Sequence, residues 1–429
     1  MMKDRLCNRR RLWMRIHWKY LLLCLACALC AGNAFGQKKA ISAARDLLKS
    51  GKNLDAAQQS MEKLLDDSAN RQNEKIWTTL YDVLHKQYEQ GNEQLYLKQQ
   101  YDTTALFMKT RRLFQVAVSL DSLEASSHKG KREKVKFKFR DVHAQFLNMI
   151  RPNLYNGGLY FIHKQNYKDG YDFLTSYISC ARESLFRKYK YADTDHQLPV
   201  AAYWAVYCGY KMRDPKATLH HAYLALKDTA HYVYMLQYLA DTYRLEGDTA
   251  RYVSSLREGF SKYPSFPFFF PRLVDYDVKQ GNYKAAIETT DRALKERPKS
   301  LIYRFTKSTL LLNTQQYPAC IDLCDSILAD TKNFSKDSLK AHPAIAGAYL
   351  NAGLAYFNQA VELDKSMSTS RKERNRMLEY YRKALPYLVH YRELEPEDKS
   401  KWALPLYTIY LNLNMGKEFD EIDKLLENK

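Results

Sequence analysis

Glycine and proline are scarce in this chain. It has 15 glycines and 12 prolines among 429 residues, about half of their usual shares of roughly 7% and 5%. This scarcity disfavours a turn-rich β-fold and a glycine-rich phosphate loop, and it favours long helices joined by short turns. Because 46% of the residues are hydrophobic, the chain can nevertheless bury a large core. We therefore expect an all-α fold.

Sequence motifs for catalysis and for metal or nucleotide binding are also lacking. The chain has no His-Glu-x-x-His, no Gly-x-Ser-x-Gly, no Walker loop and no Gly-x-Gly-x-x-Gly. The adjacent histidines His220 and His221 would point about 100° apart on a helix, so they are poor co-ligands for a metal. A lone carboxylate such as Asp241 is expected to be solvated rather than catalytic. We predict no enzyme activity, no bound metal and no cofactor.

The first 36 residues have the pattern of an export signal. A basic leader precedes an apolar run from Tyr20 to Ala31, which is shorter than the roughly 17 to 25 residues that span a membrane. Small residues then precede Gln37, as at a signal-peptide cleavage site. No cysteine of the leader follows the leucine-then-small pattern of a lipoprotein, and no later feature requires twin-arginine export. We predict a signal peptide at residues 1–36 and a periplasmic location.

The chain has a basic net charge. The whole sequence carries +19, and the leader accounts for +6 (seven basic residues, one acidic), which leaves +13. Because an exported protein rarely meets nucleic acid, we expect no nucleic-acid partner and interpret the charge as solubility and attraction to acidic glycans or a membrane surface. The basic stretch 126–141 is interpreted as a solvated loop that leads into a helix, with a grip on an anionic partner as the alternative.

The chain is similar to itself at an offset of 34 residues. At this offset Gly247, Gly281 and Gln315 align. Apolar or small residues recur at i, i+3, i+4 and i+7 on both sides of these positions, which predicts two amphipathic helices joined by a turn. One period earlier, Asp214 and Pro215 have the chemistry to cap and open a second helix.

Residues 233–266 make this pattern specific. The first helix has a large-then-small pair and an aromatic residue, and the second has small and large positions before a terminating proline. These positions are filled by Leu236, Leu239, Ala240, Tyr243, Gly247, Tyr252, Leu256, Gly259 and Pro264. The block resembles the tetratricopeptide repeat (TPR), and the whole chain resembles exported TPR proteins of Gram-negative cell envelopes. This resemblance implies a right-handed superhelical solenoid of antiparallel helix pairs.

The resemblance also implies a division of the chain. We expect an N-terminal helical region with degenerate repeats at 37–150 and a solenoid at 151–429. Its repeats are expected at 151–184, 199–232, 233–266, 267–300, 301–334 and 346–398, followed by capping helices at 399–429. In the sixth repeat an insert at 357–377 is expected to lengthen both helices and to carry a basic tip formed by Arg371, Lys372, Arg374 and Arg376.

Two cysteines lie four residues apart in the fifth repeat. The repeat register places Cys320 and Cys324 at inward-facing positions of the second helix, directed at the first helix of their own repeat. Their Cβ vectors would run nearly parallel, which disfavours a disulfide, and further metal ligands are missing nearby. We therefore predict buried free thiols. A bridge between Cys180 and Cys208 remains an alternative, since an oxidising compartment would permit it.

In the TPR family the first helices of the repeats build a concave wall, and binding falls there. The resemblance implies an aromatic wall with scattered polar groups. Its candidate ligand-binding residues are Tyr155, Tyr234, Gln237, Asp241, Arg244, Phe268, Asp275, Phe305, Thr309, Asn313 and Asn358. The basic residues with which some family members clamp an acidic C-terminus are absent from the matching positions, so we do not expect that clamp.

These features favour a non-enzymatic protein–protein interaction scaffold of the cell envelope. We expect it to bind a peptide or segment of an unidentified envelope protein on the concave wall. One alternative is that a segment of the chain itself fills the groove. Another is an accessory protein that contacts glycan or lipid through its basic surface. The sequence leaves the oligomeric state open.

Overall fold

The computed structural model describes residues 36–127, 137–335, 342–365 and 370–427. Within these ranges the chain is helical and has no β-strand, so the predicted all-α fold is confirmed. The signal peptide expected at residues 1–36 lies, except for Gly36, outside the described residues. Residues 128–136 of the basic stretch also lie outside them.

The chain divides into two compact units, one up to Thr242 and one from Tyr243 onward. This boundary lies within a helix, whereas the change from degenerate to clear repeats was expected near residue 150. The two units are therefore described one at a time.

The first unit is a succession of antiparallel helices joined by short turns and by two 3₁₀ segments, Ser68–Gln72 and Ser184–Tyr189. Its helices are α1 (36–50), α2 (Leu54–Asp66), α3 (Glu74–Tyr96), α4 (Thr103–Ser127), α5 (Arg140–Ile150), α6 (Pro152–His163), α7 (Tyr167–Ser179), α8 (Tyr191–Thr194), α9 (Leu198–Met212), α10 (Pro215–His220), α11 (Ala222–Ala225) and most of α12 (Tyr232–Leu245). Helices α3 and α4 have 23 and 25 residues, against 12 and 13 in α6 and α7. These long helices explain why the 34-residue offset fails before residue 150.

The second unit is a solenoid of helix pairs. Its helices after α12 are α13 (Thr249–Lys262), α14 (Phe269–Lys279), α15 (Tyr283–Glu296), α16 (Leu301–Asn313), α17 (Tyr317–Thr331), α18 (Pro343–Lys365), α19 (Arg371–Leu394), α20 (Lys399–Asn412) and α21 (Gly416–Glu427). Helices α18 and α19 have 23 and 24 residues, whereas α16 and α17 have 13 and 15. Both helices of this pair are thus longer than those of the preceding pair, as expected from the insert at 357–377.

The backbone repeats with the predicted period of 34 residues. Arg213, Gly247, Gly281 and Gln315 have left-handed φ angles of 55°, 74°, 71° and 59°. In each case the N–H of the following residue donates to a carbonyl five residues earlier, at 2.8 to 3.0 Å. This arrangement is the Schellman ending of a helix, which satisfies carbonyls that the helix leaves unpaired. The turns inside these four helix pairs are therefore built in the same way.

The residue after each left-handed position is the N-cap of the next helix. The side chains of Asp214, Asp248 and Asn282 each accept a hydrogen bond from the backbone N–H three residues later. Such N-caps satisfy donors of the first helical turn. Gln316, at the fourth position, makes no side-chain cap bond. The cap that the sequence predicts at Asp214, with Pro215 as the first helical residue, is confirmed.

Cys320 and Cys324 are both fully buried free thiols, as predicted. They belong to a core cluster with Leu311 of α16 and with Ala348 and Ala352 of α18. The thiols therefore fill space between two successive first helices, whereas the sequence predicted contact with the first helix of their own repeat only. A small apolar side chain suits this position because alanines on α18 leave little room.

The two cysteines that the structure describes in the first unit are likewise unbridged. Cys180 and Cys208 are buried free thiols. Burial raises the pKa of each thiol to about 12, so both remain protonated at neutral pH. The alternative of a Cys180–Cys208 disulfide therefore does not describe this structure.

Candidate functional site

A groove separates α14 from α16, the first helices of two successive repeats. It has a volume of about 360 Å³, which lies within the range of small-ligand pockets and also suits a short peptide segment. We call it the α14–α16 groove. It is lined by Phe270, Pro271, Val274, Asp275 and Val278 of α14 and by Ile302, Phe305, Thr306, Thr309, Leu310 and Asn313 of α16.

The floor of the groove is apolar because of residue spacing on α14. Phe270, Val274 and Val278 follow one another at intervals of four, so they share one face of the helix. Phe270 and Val274 are buried, and Val278 is half-buried. The ring of Phe270 lies 4.5 Å from that of Tyr303 on α16, which ties the two helices together below the groove.

Phe305 is the aromatic residue of the opposite wall. It is half-buried, and its ring lies against Gly347 of α18. Ile302, one turn earlier, is 66% exposed. An exposed isoleucine beside a half-buried phenylalanine offers apolar surface that water would leave on binding.

Polar groups of α16 complete the groove. Asn351 of α18 is buried and donates from Nδ2 to Thr309 Oγ1 and to Ser308 Oγ, each at 2.9 Å. This amide fixes the Thr309 hydroxyl at the wall. Thr306 Oγ1 donates to the carbonyl of Ile302 at 2.8 Å, and its oxygen remains an acceptor. The groove therefore combines an apolar floor with hydroxyl groups along one wall.

A carboxylate stands at the edge of the groove. Asp275 is exposed and accepts from Lys279 Nζ at 2.8 Å, one helical turn away. Such an exposed pair contributes little to stability. Either partner is thus free to exchange for a group of a ligand at little cost.

Four of the eleven residues predicted for the binding wall line this groove together: Asp275, Phe305, Thr309 and Asn313. The others lie elsewhere. Tyr155 on α6 is half-buried, with its ring 5.8 Å from that of Tyr177. Tyr234, Gln237 and Arg244 are on α12, and Asn358 is on α18.

Two predicted wall residues are buried instead of presented to solvent. Asp241 is only 9% exposed, and its Oδ2 accepts from Tyr210 Oη at 3.1 Å. The expectation that Asp241 is solvated was therefore wrong. Phe268 is 7% exposed, and the Arg272 guanidinium lies 3.8 Å from the centre of its ring. Both side chains contribute to packing, and neither offers a free surface.

The sequence prediction missed other lining residues. Val278 and Thr306 were not among the candidates, although each lies three residues from a candidate that lines the groove, Asp275 and Thr309 respectively. Following the three-residue spacing along each helix would have found them.

The described ranges contain neither a candidate metal site nor a candidate membrane-spanning helix. Within them, no three His, Cys, Asp or Glu side chains are grouped closely enough to hold a metal ion. No helix there combines the length and apolar character that crossing a bilayer requires.

No protein-family model matches the sequence, and no curated protein matches it. Among solved structures, the C-terminal part of a TPR repeat-containing protein from Cytophaga hutchinsonii is 11% identical and matches 63% of this chain and 93% of its own, with a TM-score of 0.40. PilF of Pseudomonas aeruginosa is 14% identical, with coverages of 56% and 98% and a TM-score of 0.30. A TPR protein from Bacteroides fragilis is 13% identical, with coverages of 64% and 98% and a TM-score of 0.28.

These likenesses carry no residue role or partner over to this chain, since the identities and scores are low. The TPR-like character of the fold rests on features of this chain: antiparallel helix pairs, a period of 34 residues, and the repeated left-handed turn.

Proposed function

We propose that this chain is a non-enzymatic interaction scaffold that binds an extended peptide segment of a partner protein in the α14–α16 groove. The observation that carries the proposal is the groove itself, about 360 Å³ in volume, with an apolar floor and hydroxyl groups along one wall. Apolar side chains of a peptide would cover Phe305 and Val278. Its backbone N–H groups would donate to Thr306 or Asn313.

Site-specific crosslinking tests this proposal. A photoreactive amino acid at position 306 would be activated in an envelope extract, and the crosslinked partner peptide identified by mass spectrometry. Ile302→Glu places a charge on the exposed apolar edge and is expected to abolish the crosslink. We avoid Phe305→Ala as the principal variant, because the contact of Phe305 with Gly347 also supports packing.

Leu404→Glu is the matched control. Leu404 is 63% exposed, close to the 66% of Ile302, and it does not line the groove. The crosslink is expected to persist in this variant. Peptide binding in the groove would be contradicted if Ile302→Glu and Leu404→Glu gave the same yield of crosslink, whether both retained it or both lost it.

We propose further that the protein is exported to the periplasm, so that the partner is an envelope protein. The basic, apolar and small-residue order of residues 1–36 supports this. Expressed in a Gram-negative host, the chain is expected in the periplasmic fraction with a mass that begins at Gln37. Recovery of the intact chain from the cytoplasm would contradict the proposal.

A second candidate is attachment to an anionic envelope surface. Arg371, Lys372, Arg374 and Arg376 are exposed within the first six residues of α19. Positive side chains at a helix N-terminus oppose the helix dipole, and an anionic partner would relieve this unfavourable arrangement. Binding to vesicles of phosphatidylglycerol that disappears in high salt, and in a variant with these four residues changed to glutamine, would support it. Equal binding to phosphatidylcholine vesicles would reject it.

A further inference from the structure

A second cavity lies in the first unit, between α4 and the end of α7. It has a volume of about 310 Å³, which is space for about ten water-sized groups. We call it the α4–α7 cavity. It shares no residue with the α14–α16 groove. Its lining includes Phe114, Val118 and Ser119 of α4, and Ser176, Cys180 and Glu183 of the segment around the end of α7.

Two hydroxyl groups of the cavity, those of Ser119 and Ser176, can accept hydrogen bonds from a ligand. Ser119 Oγ donates its proton to the carbonyl of Gln115 at 2.9 Å, and Ser176 Oγ donates to the carbonyl of Asp172 at 2.7 Å. A serine hydroxyl has one proton to donate and two lone pairs to accept with. Both oxygens therefore have only accepting capacity left, which favours a ligand that donates.

The cavity also contains a carboxylate, that of Glu183, which forms no ion pair with any residue that the structure describes. Glu183 is half-buried, and no ion pair or side-chain hydrogen bond links its carboxylate to another described residue. Burial, followed by the negative charge of Asp121, raises the pKa of Glu183. A charge that is partly removed from water and unpaired is costly, so a cation in the cavity would relieve this cost.

The nearby arginine is already committed to another acid. Arg140 binds Asp121 through both oxygens, from Nε at 2.6 Å and from Nη2 at 3.0 Å. Ser184 Oγ donates to the same carboxylate at 2.6 Å. Arg140 is therefore held by Asp121 and forms no ion pair with Glu183.

The remaining lining is apolar. Phe114 and Cys180 are each only 3% exposed, and both line the cavity beside half-buried Val118. Burial keeps the thiol protonated, and its sulfur donates to the carbonyl of Ser176 at 3.3 Å. One side of the cavity thus accepts hydrogen bonds, and the other is suited to hydrocarbon.

We propose that the α4–α7 cavity binds a small organic cation. Its ammonium group pairs with the Glu183 carboxylate and donates to the oxygens of Ser119 and Ser176. Its hydrocarbon part packs against Phe114 and Val118. An ammonium group has three donors and no acceptor, which matches a lining that offers acceptors.

Calorimetric titration with putrescine and spermidine tests the proposal, with succinate as an anionic control and glycerol as a neutral one. The wild-type chain is expected to bind at least one of the amines and neither control. Glu183→Gln keeps the shape of the side chain and removes its charge, and it is expected to weaken amine binding at least tenfold. Glu288→Gln, an exposed carboxylate on α15, is expected to leave binding unchanged.

Occupancy of the cavity gives a second readout. The thermal unfolding midpoint of the wild-type chain is expected to rise in the presence of saturating putrescine or spermidine, because a ligand that binds only the folded state stabilises it. Ser119→Leu fills the cavity and is expected to abolish both amine binding and this rise, while circular dichroism reports that the variant is folded. Absence of amine binding at millimolar concentration would overturn the proposal. So would equal binding of glycerol, or unchanged affinity in Glu183→Gln.

Discussion

The ring of Phe305 lies directly on the backbone of Gly347. A Cβ atom built at position 347 would lie 2.2 Å from Cε2 and 2.5 Å from Cζ of that ring. Carbon atoms do not approach so closely. Glycine at this point of α18 is therefore what allows the ring to lie across the helix and to form part of the α14–α16 groove.

Gly347→Ala is expected to displace the Phe305 ring. Overpacking should lower the free energy of unfolding by about 1 to 3 kcal/mol, against a gain of at most about 1 kcal/mol from alanine in a helix. Urea denaturation measures the difference. Gly416→Ala is the control, because a Cβ there meets nothing within 4 Å, and it should leave stability unchanged or raised. Equal stability of both variants would show that the ring moves freely.

Gly209→Ala is expected to be more damaging. A Cβ at position 209 would lie 2.4 Å from the backbone nitrogen of Thr218 and 2.7 Å from the carbonyl carbon of Ala217. A backbone atom cannot rotate away as a ring can, so α9 and α10 would have to separate. We expect a loss of about 3 kcal/mol in the free energy of unfolding, measured by urea denaturation. A loss smaller than that of Gly347→Ala would contradict this reasoning.

The repeated turn supplies a matched pair of substitutions. Gly281 and Gln315 occupy the same position of successive repeats, with φ of 71° and 59°. Gly281→Ala forces an L side chain into the left-handed region and should destabilise by about 1 kcal/mol. Gln315→Gly removes that strain and should stabilise by up to about 1 kcal/mol. Thermal unfolding midpoints that shift in opposite directions for the two variants would confirm the reasoning, and shifts in the same direction would refute it.

Buried histidines should make the fold sensitive to acid. His143 stacks on Tyr81 with ring centres 3.7 Å apart. Burial, with a smaller contribution from His85, lowers the pKa of His143 to about 4. Burial also lowers the pKa of His221 to about 4, with smaller contributions from His220 and Arg182.

The sign of the pH effect follows from these pKa values. The unfolded chain binds a proton at each histidine near pH 6.5, whereas the folded chain does so only near pH 4. The contribution of these two histidines to the free energy of unfolding is therefore complete above pH 6.5, and it is lost as the pH falls toward 4. His143→Phe should reduce the loss between pH 7.5 and 5.0 by about 1 to 2 kcal/mol, measured by urea denaturation at both pH values. An unchanged loss would mean that His143 is not the responsible group.

The sequence predicted those features that depend on local spacing. The offset of 34 residues identified the turns at Gly247 and Gly281, and the register placed Cys320 in the core. Each follows from which face of a helix a residue occupies, and neighbouring repeats present the same faces.

Features that depend on contacts between distant side chains were not predictable from spacing. Asp241 is buried, and Tyr210, 31 residues earlier, donates a hydrogen bond to it. The α4–α7 cavity arises where Glu183 meets a long helix whose length does not follow the repeat. The groove was predicted in part, since Phe305 and Thr309 were placed on the correct helix. The contact between the Phe305 ring and Gly347 was not predicted.

The identical turns within the helix pairs carry one more consequence. Each turn closes with its own backbone and, in three cases, one capping side chain, so it requires no remote residue to keep its shape. A gene duplication or deletion of 34 codons would therefore add or remove a whole module while leaving the joints on either side intact. The array has a built-in means of changing its length, and with it the span of any partner that it holds.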